Sequence, residues 1–291
     1  MMNPAKQMTS PHFDYNNSLF HYTSIDVVQK ILRNDNIHFH MTKLEDFNDK
    51  TEGKCVDEFF YEALTRLYDN SIISNYEKEQ LHGIKPLGKH VFIDDSGCSP
   101  IARYTEFDTF VLCFSLKNND EYMFGEYIKS DDKKGFCLEF MNPMFEMNTK
   151  NARNNNILLE MKKALYGVDA VDYLYSYVYS LFERYKRCDR DRMKKWIIPQ
   201  VRLKLHDMRF MCKAEEYRKE EEVRLIAYRS IRNHNSESIV DCFESIMVDG
   251  KEKIDMTLNK CMLCNLLPSK AVETEESNTI VLKLRNSGYM I

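Results

Sequence analysis

Apolar and polar positions along this chain repeat with two periods, and each change of period marks an element. Leu19-Phe20-His21-Tyr22 reads as a short strand. Ile25, Val28, Ile31 and Leu32 then recur at helical spacing, with Thr23 or Ser24 placed to cap a helix from about Ile25 to Arg33. After Asn34-Asp35-Asn36, a turn by composition, Ile37 to Met41 alternates as a strand does. A loop from Leu44 to Glu52 carries Asp46-Phe47-Asn48-Asp49 and leads into a helical stretch, Val56 to Leu67. Residues 70–106 keep no sustained period and hold Gly83, Pro86, Gly88, Gly97 and Pro100, which predicts a surface insertion. Thr109 to Leu116 reads as a buried strand, Tyr122 to Ile128 as a short helix and Gly135 to Phe140 as a further strand.

From Asn156 to Lys213 the period is helical. Val171, Leu174, Val178, Leu181 and Tyr185 share one face, Val201, Leu205, Met208 and Met211 another, and Pro199 ends or kinks a helix between them. Glu222 to Tyr228 returns to strand, followed by short strands at Ile239–Val248, Lys253–Leu258 and Thr279–Leu284. Residues 1–18 are polar and are expected as a loose arm. The reading is therefore α+β: one domain over 19–291, with the insertion 70–106 and the helical segment 156–213.

Composition narrows the function classes. A chain of 291 residues, 43% hydrophobic and 30% charged, can bury a sizeable core and is not a disordered sequence. Its nine cysteines are odd in number, scattered and in several cases set in apolar runs, as free thiols in a reducing compartment are. With no apolar leader-like run in residues 1–18 and nothing near ~18 uninterrupted apolar residues, the expected location is cytoplasmic, without a membrane partner. Nine glycines form neither a phosphate-binding loop nor a dinucleotide fingerprint, which argues against kinase, ATPase and dehydrogenase chemistry. Cys261-Met262-Leu263-Cys264 has the spacing of half a zinc site, but no second pair follows, and His38 and His40 share a strand face without identifiable partners, so no metal is expected. A thiol nucleophile at Cys113 or Cys137 with His21 is disfavoured because both thiols lie in apolar strands.

Charge is uneven. The whole chain carries a formal −4, yet residues 184–213 hold eleven Lys or Arg against three Asp, with Tyr185 and Trp196 interleaved. Clustered cations with aromatics suit a nucleic acid, and Arg187, Arg190, Arg192, Lys194 and Lys195 are the candidate RNA or DNA contacts. A solvated helix face explains the same residues.

Three segments, in order, resemble a bacterial domain-of-unknown-function family, many of whose members sit in abortive-infection and mobile-element contexts. They are Leu19-Phe20-His21-Tyr22-Thr23-Ser24 with Asp46-Phe47-Asn48-Asp49; Cys113-Phe114-Ser115 with Met123, Tyr127 and Gly135-Phe136-Cys137-Leu138-Glu139-Phe140; and Lys213-Ala214-Glu215-Glu216-Tyr217 with Glu220-Glu221-Glu222-Val223-Arg224-Leu225-Ile226. The chain departs from that family at Lys50, where Pro is common, and at Met123 and Val223, where Trp is common. The opening box is also remotely similar to that of the DarT-type ADP-ribosyltransferases. That resemblance implies split mixed and antiparallel sheets with helical insertions, NAD as cofactor, a macromolecular acceptor that is first of all nucleic acid, and a phage-defence or toxin role with a cognate inhibitor or defence-system partner. A non-catalytic sensor or binding module of the same fold is the alternative.

The same resemblance places His21, Ser115 or Tyr127, and Glu222 in the site. Breaking the nicotinamide–ribose bond generates an oxocarbenium-like centre that a fixed carboxylate stabilises. Glu222 is assigned that role, Glu220 the orientation or deprotonation of the acceptor, and His21 a ribose hydroxyl. Tyr22, Thr23, Asn48, Ser115, Tyr127 and Arg224 complete the cofactor-binding set. Strand alternation puts Glu220, Glu222, Arg224 and Ile226 on one charged, cleft-facing side and Val223, Leu225 and Ala227 on the apolar side. Without the resemblance, these residues read otherwise: Glu220 to Glu222 as a solvated strand edge paired to Arg224, Thr23 and Ser24 as helix caps, Asn48 as a turn former and Tyr127 as part of a helix face.

Overall fold

Strand β4 (Thr105–Ser115) organises the molecule, because its alternating residues are apolar on both faces and it can be covered on both. The computed structural model describes residues 18–33, 35–47, 53–84, 90–92, 105–129, 133–142, 157–185, 193–230 and 243–291. Around β4, ten strands form one curled antiparallel sheet. These are β1 (Leu19–Ser24), β2 (Ile37–Lys43), β3 (His90–Phe92), β4, β5 (Gly135–Phe140), β6 (Ile157–Lys163), β9 (Glu222–Ser230), β10 (Phe243–Val248), β11 (Lys251–Leu258) and β12 (Leu263–Pro268). The short strands β7 (Leu165–Tyr166) and β8 (Cys212–Lys213) pair in parallel apart from it.

One side of β4 pairs along its length with β9, from Phe107↔Ser230 to Ser115↔Glu222. The other side meets three strands in turn: β3 at residues 105–107, β2 at Phe110 and Val111, and β1 at Ser115. Beyond these contacts β1 pairs with β5 and β2 pairs with β11. The sheet therefore forks where β1 and β2 part company, beside Leu112 to Phe114.

Helices α1 (Ile25–Ile31) and α7 (Thr274–Asn286) cover one sheet face, adding Val28, Ile31, Ile280 and Leu284 to a core with Phe39, Phe110, Phe140, Val223 and Leu225. The opposite face meets a helical layer with its own core. There α2 (Cys55–Asp69), α3 (Asn75–His82), α5 (Gly167–Arg184) and α6 (Ile198–Arg209) bury Phe60, Leu64, Leu81, Val171, Leu174, Val178, Leu181, Val201, Leu205 and Met208. Helix α4 (Glu121–Tyr127), capped by the Asp120 carboxylate on the Tyr122 and Met123 amides, lies beside β1. No helix among the described residues is long and apolar enough to cross a membrane.

Three expectations are corrected, and one strand is new. Residues 70–106 are not featureless: α3 starts there with a reciprocal capping box between Ser74 and Glu77, and β3 and the start of β4 follow. The segment 156–213 opens with strand β6, not helix, because Ile157 to Lys163 adds an edge strand to β9. Thr279–Leu284 is helical, lying within α7. Its β-branched run is overridden by acidic residues in the first turn and basic ones in the last, with Ile280 and Leu284 one turn apart in the core. Strand β12, unanticipated, closes the edge beside β5. The arm 1–17, Asn48, Arg187, Arg190 and Arg192 lie outside the described residues, and Lys194 and Lys195 fall on the wide turn Met193–Ile197.

Candidate functional site

The fork opens a cavity of about 180 Å³. Phe20, His21 and Tyr22 line it from β1, His40 and Thr42 from β2, residues 111–115 from β4, Met123 and Tyr127 from α4, and Phe47 and Glu220 from turns. Two polar residues singled out in the sequence, His21 and Glu220, stand 199 positions apart in the chain and share this one space. A void of ~150 Å³ holds a benzene ring, so the cavity admits one small ring and not a dinucleotide.

His21 reaches across the parted strands, and its Nδ1 donates to the carbonyl of Cys113 at 3.2 Å. A carbonyl only accepts, so the proton is on Nδ1 and Nε2 is the nitrogen left to accept from a ligand. Burial among Phe39 and Phe114, whose rings stand edge-on to the imidazole, drops its pKa to about 4 against the support of the Cys113 carbonyl. At neutral pH the ring is an uncharged acceptor.

Glu220 ends a 3-10 turn, Glu215–Glu220, and is followed by Glu221 in the left-handed region at φ +43°. The turn sets Glu220 outside the strand, which corrects its expected place in the alternation of β9. Ser115 Oγ donates to the Glu220 carbonyl at 2.6 Å, and the Leu116 amide to the Glu221 carbonyl at 3.1 Å, so the end of β4 holds the turn. Lys213 Nζ at 2.6 Å and the Tyr127 hydroxyl at 2.8 Å both donate to Oε2 of Glu220. Among the described residues no hydrogen bond goes to Oε1. The carboxylate is thus anchored by one oxygen and presents the other. Burial raises its pKa and the neighbouring Glu222 charge adds to that, while Lys213 pulls the other way.

Glu222 is placed differently from the expectation. It lies only 2% exposed beneath the helical layer, with Arg224 at 1%, so the charged face of β9 packs inward like its apolar face and does not line a cleft. Arg224 Nε donates to Oε1 of Glu222 at 2.5 Å and Lys213 Nζ to Oε2 at 2.6 Å. The Cys113 thiol adds a further hydrogen bond, and the Glu222 amide donates to the Tyr166 hydroxyl at 2.8 Å. Arg224 Nη1 in turn donates to the Phe210 carbonyl at 3.1 Å. Burial works to raise the Glu222 carboxyl, but Arg224 and Lys213 together outweigh it and hold the group charged well below its ordinary range. Two carboxylates and two cations make the row neutral, which is what permits its burial.

The remaining candidates separate cleanly. Tyr22 lines the cavity, but its hydroxyl donates to the Lys117 carbonyl at 2.6 Å and accepts from the Asp120 amide at 3.0 Å, tying β1 to the start of α4. Thr23 is buried away from the lining residues, and Ser24 holds the N-cap position of α1 without a side-chain bond. Tyr127 ends α4 with its side chain 39% exposed, not packed in the core, and its hydroxyl donates to Glu220. Sequence reasoning did not single out Lys213 as a site residue, although it opens the third family-like segment. It also missed His40 and Thr42, whose shared strand face was legible and whose position beside the fork was not. Cys113, taken for inert core, is half-buried on the cavity wall, and burial together with the Glu222 charge keeps its thiol protonated. Among the described residues no group of three His, Cys, Asp or Glu side chains gathers where an ion could sit.

No protein-family model matches the chain, and neither a curated protein nor a solved structure resembles it at a significant level.

Proposed function

We propose that this chain is an NAD-consuming, ADP-ribosyltransferase-like enzyme whose working carboxylate is Glu220. The observation that carries the reading is the meeting of an uncharged imidazole acceptor and a half-free carboxylate in one ring-sized cavity. β1 and β2 part beside β4 within one continuous antiparallel sheet, so the split-sheet arrangement rests on the resemblance alone. The cavity takes the nicotinamide ring with the ribose at its mouth, and the rest of the dinucleotide stays outside it, since among the described residues no Lys or Arg lines the space to meet a phosphate.

When NAD binds, the bond between ribose C1′ and the pyridinium nitrogen breaks, its electron pair leaves with neutral nicotinamide, and Oε1 of Glu220 faces the positive charge that develops on the sugar. His21 Nε2 accepts from a ribose hydroxyl. The acceptor then bonds to C1′ and gives up its proton to solvent or base. The basic stretch 184–213 supports a nucleic acid as the acceptor, and the defence or toxin role stands on the resemblance alone.

A second reading, a binding module without turnover, is favoured by Glu222, the assigned catalytic residue, being closed on both oxygens. One experiment separates the two. Wild type, Glu220→Gln and Glu222→Gln are incubated with NAD, with and without RNA and DNA, and nicotinamide release is measured. The enzyme reading expects release by wild type and its loss in Glu220→Gln. Binding of NAD with no release by wild type leaves the binding module.

A further inference from the structure

The cavity has spent most of its hydrogen-bond donors on the protein itself. Of the side chains on its wall that carry a proton to donate, five give it to the protein itself. His21 Nδ1 donates to the Cys113 carbonyl, Tyr22 to the Lys117 carbonyl, Ser115 to the Glu220 carbonyl, Tyr127 to the Glu220 carboxylate and Cys113 to Glu222. Among the described residues only His40 and Thr42, both on β2, keep a proton without a partner. Left over for a guest are the acceptors His21 Nε2 and Oε1 of Glu220, the second bearing charge, beside the two β2 side chains, which can donate or accept. The rest of the wall is largely apolar and aromatic, with Phe20, Phe47, Phe114 and the rings of Tyr22 and Tyr127 contributing faces or edges.

Each property constrains the guest. A wall lined by aromatic rings suits a flat group that can stack or meet them edge-on, and aromatic faces attract cations. A buried carboxylate that lacks one partner favours a positively charged donor. An anion would meet neither a Lys nor an Arg on the wall and would sit against Glu220. We infer that the cavity is a receptor for a small, planar, positively charged group bearing N–H donors, of the amidinium or aminopyridinium class, and that it excludes anions. This goes beyond the NAD reading, because it needs only the cavity and its free acceptors.

Three isosteres test it by titration calorimetry on the full chain: benzamidine, planar and cationic; benzamide, planar and neutral; and benzoate, planar and anionic. Benzamidine is expected to bind about tenfold tighter than benzamide, the worth of one charge-assisted hydrogen bond, and benzoate not at all. In Glu220→Gln the advantage of benzamidine over benzamide disappears, and in His21→Phe both bind more weakly. Benzoate binding as tightly as benzamidine overturns the inference, as does an undiminished benzamidine advantage in Glu220→Gln. The wild-type series decides even where a variant does not fold. Ordered binding without nicotinamide release from NAD keeps this inference and removes the enzyme, whereas NAD cleavage with benzoate preferred does the reverse.

Discussion

Glu220 and Glu222 stand two residues apart, share the ammonium of Lys213 and are both buried, yet one end of their row is open and the other is sealed. At the sealed end each oxygen of Glu222 has its cation, and Arg224 spends a further donor on the Phe210 carbonyl. At the open end both donors converge on a single oxygen of Glu220, a residue of the cavity wall, and the other oxygen takes no hydrogen bond among the described residues. Both are glutamates and both are nearly inaccessible to solvent, so the contrast follows from the count of partners. A carboxylate with both oxygens engaged fastens β9 to the helical layer, and one with an oxygen to spare can receive a ligand.

The largest expected effect is at the sealed end. Glu222→Ala removes the buried carboxylate that Arg224 and Lys213 share and is expected to cost about 3–5 kcal/mol in chemical denaturation. A result under about 1 kcal/mol would mean that the row is not closed as described. Glu220→Gln keeps shape and most packing, so stability falls by only about 1–2 kcal/mol, whereas nicotinamide release falls by roughly 100-fold or more if this oxygen meets the sugar cation. Equal losses of stability at the two positions would erase the contrast.

Acidity sharpens it further. Between the ordinary histidine value of 6.5 and about 4 the unfolded chain binds a proton that folded His21 refuses, so stability declines as pH falls through that interval. His21→Phe is expected to flatten that part of the stability-pH curve. Glu222 acts lower, because its folded carboxyl is depressed. The stability it lends is present above the ordinary glutamate range and is lost as pH falls below it, and Glu222→Gln removes that lower limb. The smallest effect belongs to Glu221→Gly. Glycine takes φ +43° without the steric cost a side chain meets there, and a gain of up to about 1 kcal/mol is expected from thermal denaturation, less the exposed pair with Lys117.

Much of the sheet was legible, and the reason is burial. β1, β4 and β5 carry runs that only a covered strand can hide, and the helical faces of α5 and α6 fell where their apolar period put them. β6 and α7 were misread because a local pattern met a stronger tertiary one. Ile157 to Lys163 ends in charges that an edge strand tolerates, and the Ile-Val-Leu run of α7 leaves Leu282 57% exposed while burying only one stripe. The pair Ser74 and Glu77 was a readable helix start that the absence of an apolar period concealed. At the site, His21 could be read from its strand end. The difference in partners between Glu220 and Glu222 could not, since it depends on a left-handed residue between them and on Lys213 arriving from β8.

That left-handed residue is pinned on every side. The Glu221 amide bonds the Arg218 carbonyl, its own carbonyl takes the Leu116 amide, and the Glu222 carbonyl takes the Ala164 amide. A glutamate side chain free in solution loses up to ~2 kcal/mol of rotational entropy when fixed in one pose. Here that loss is already incurred when the chain folds, and an arriving guest finds a stationary oxygen in place of a searching one.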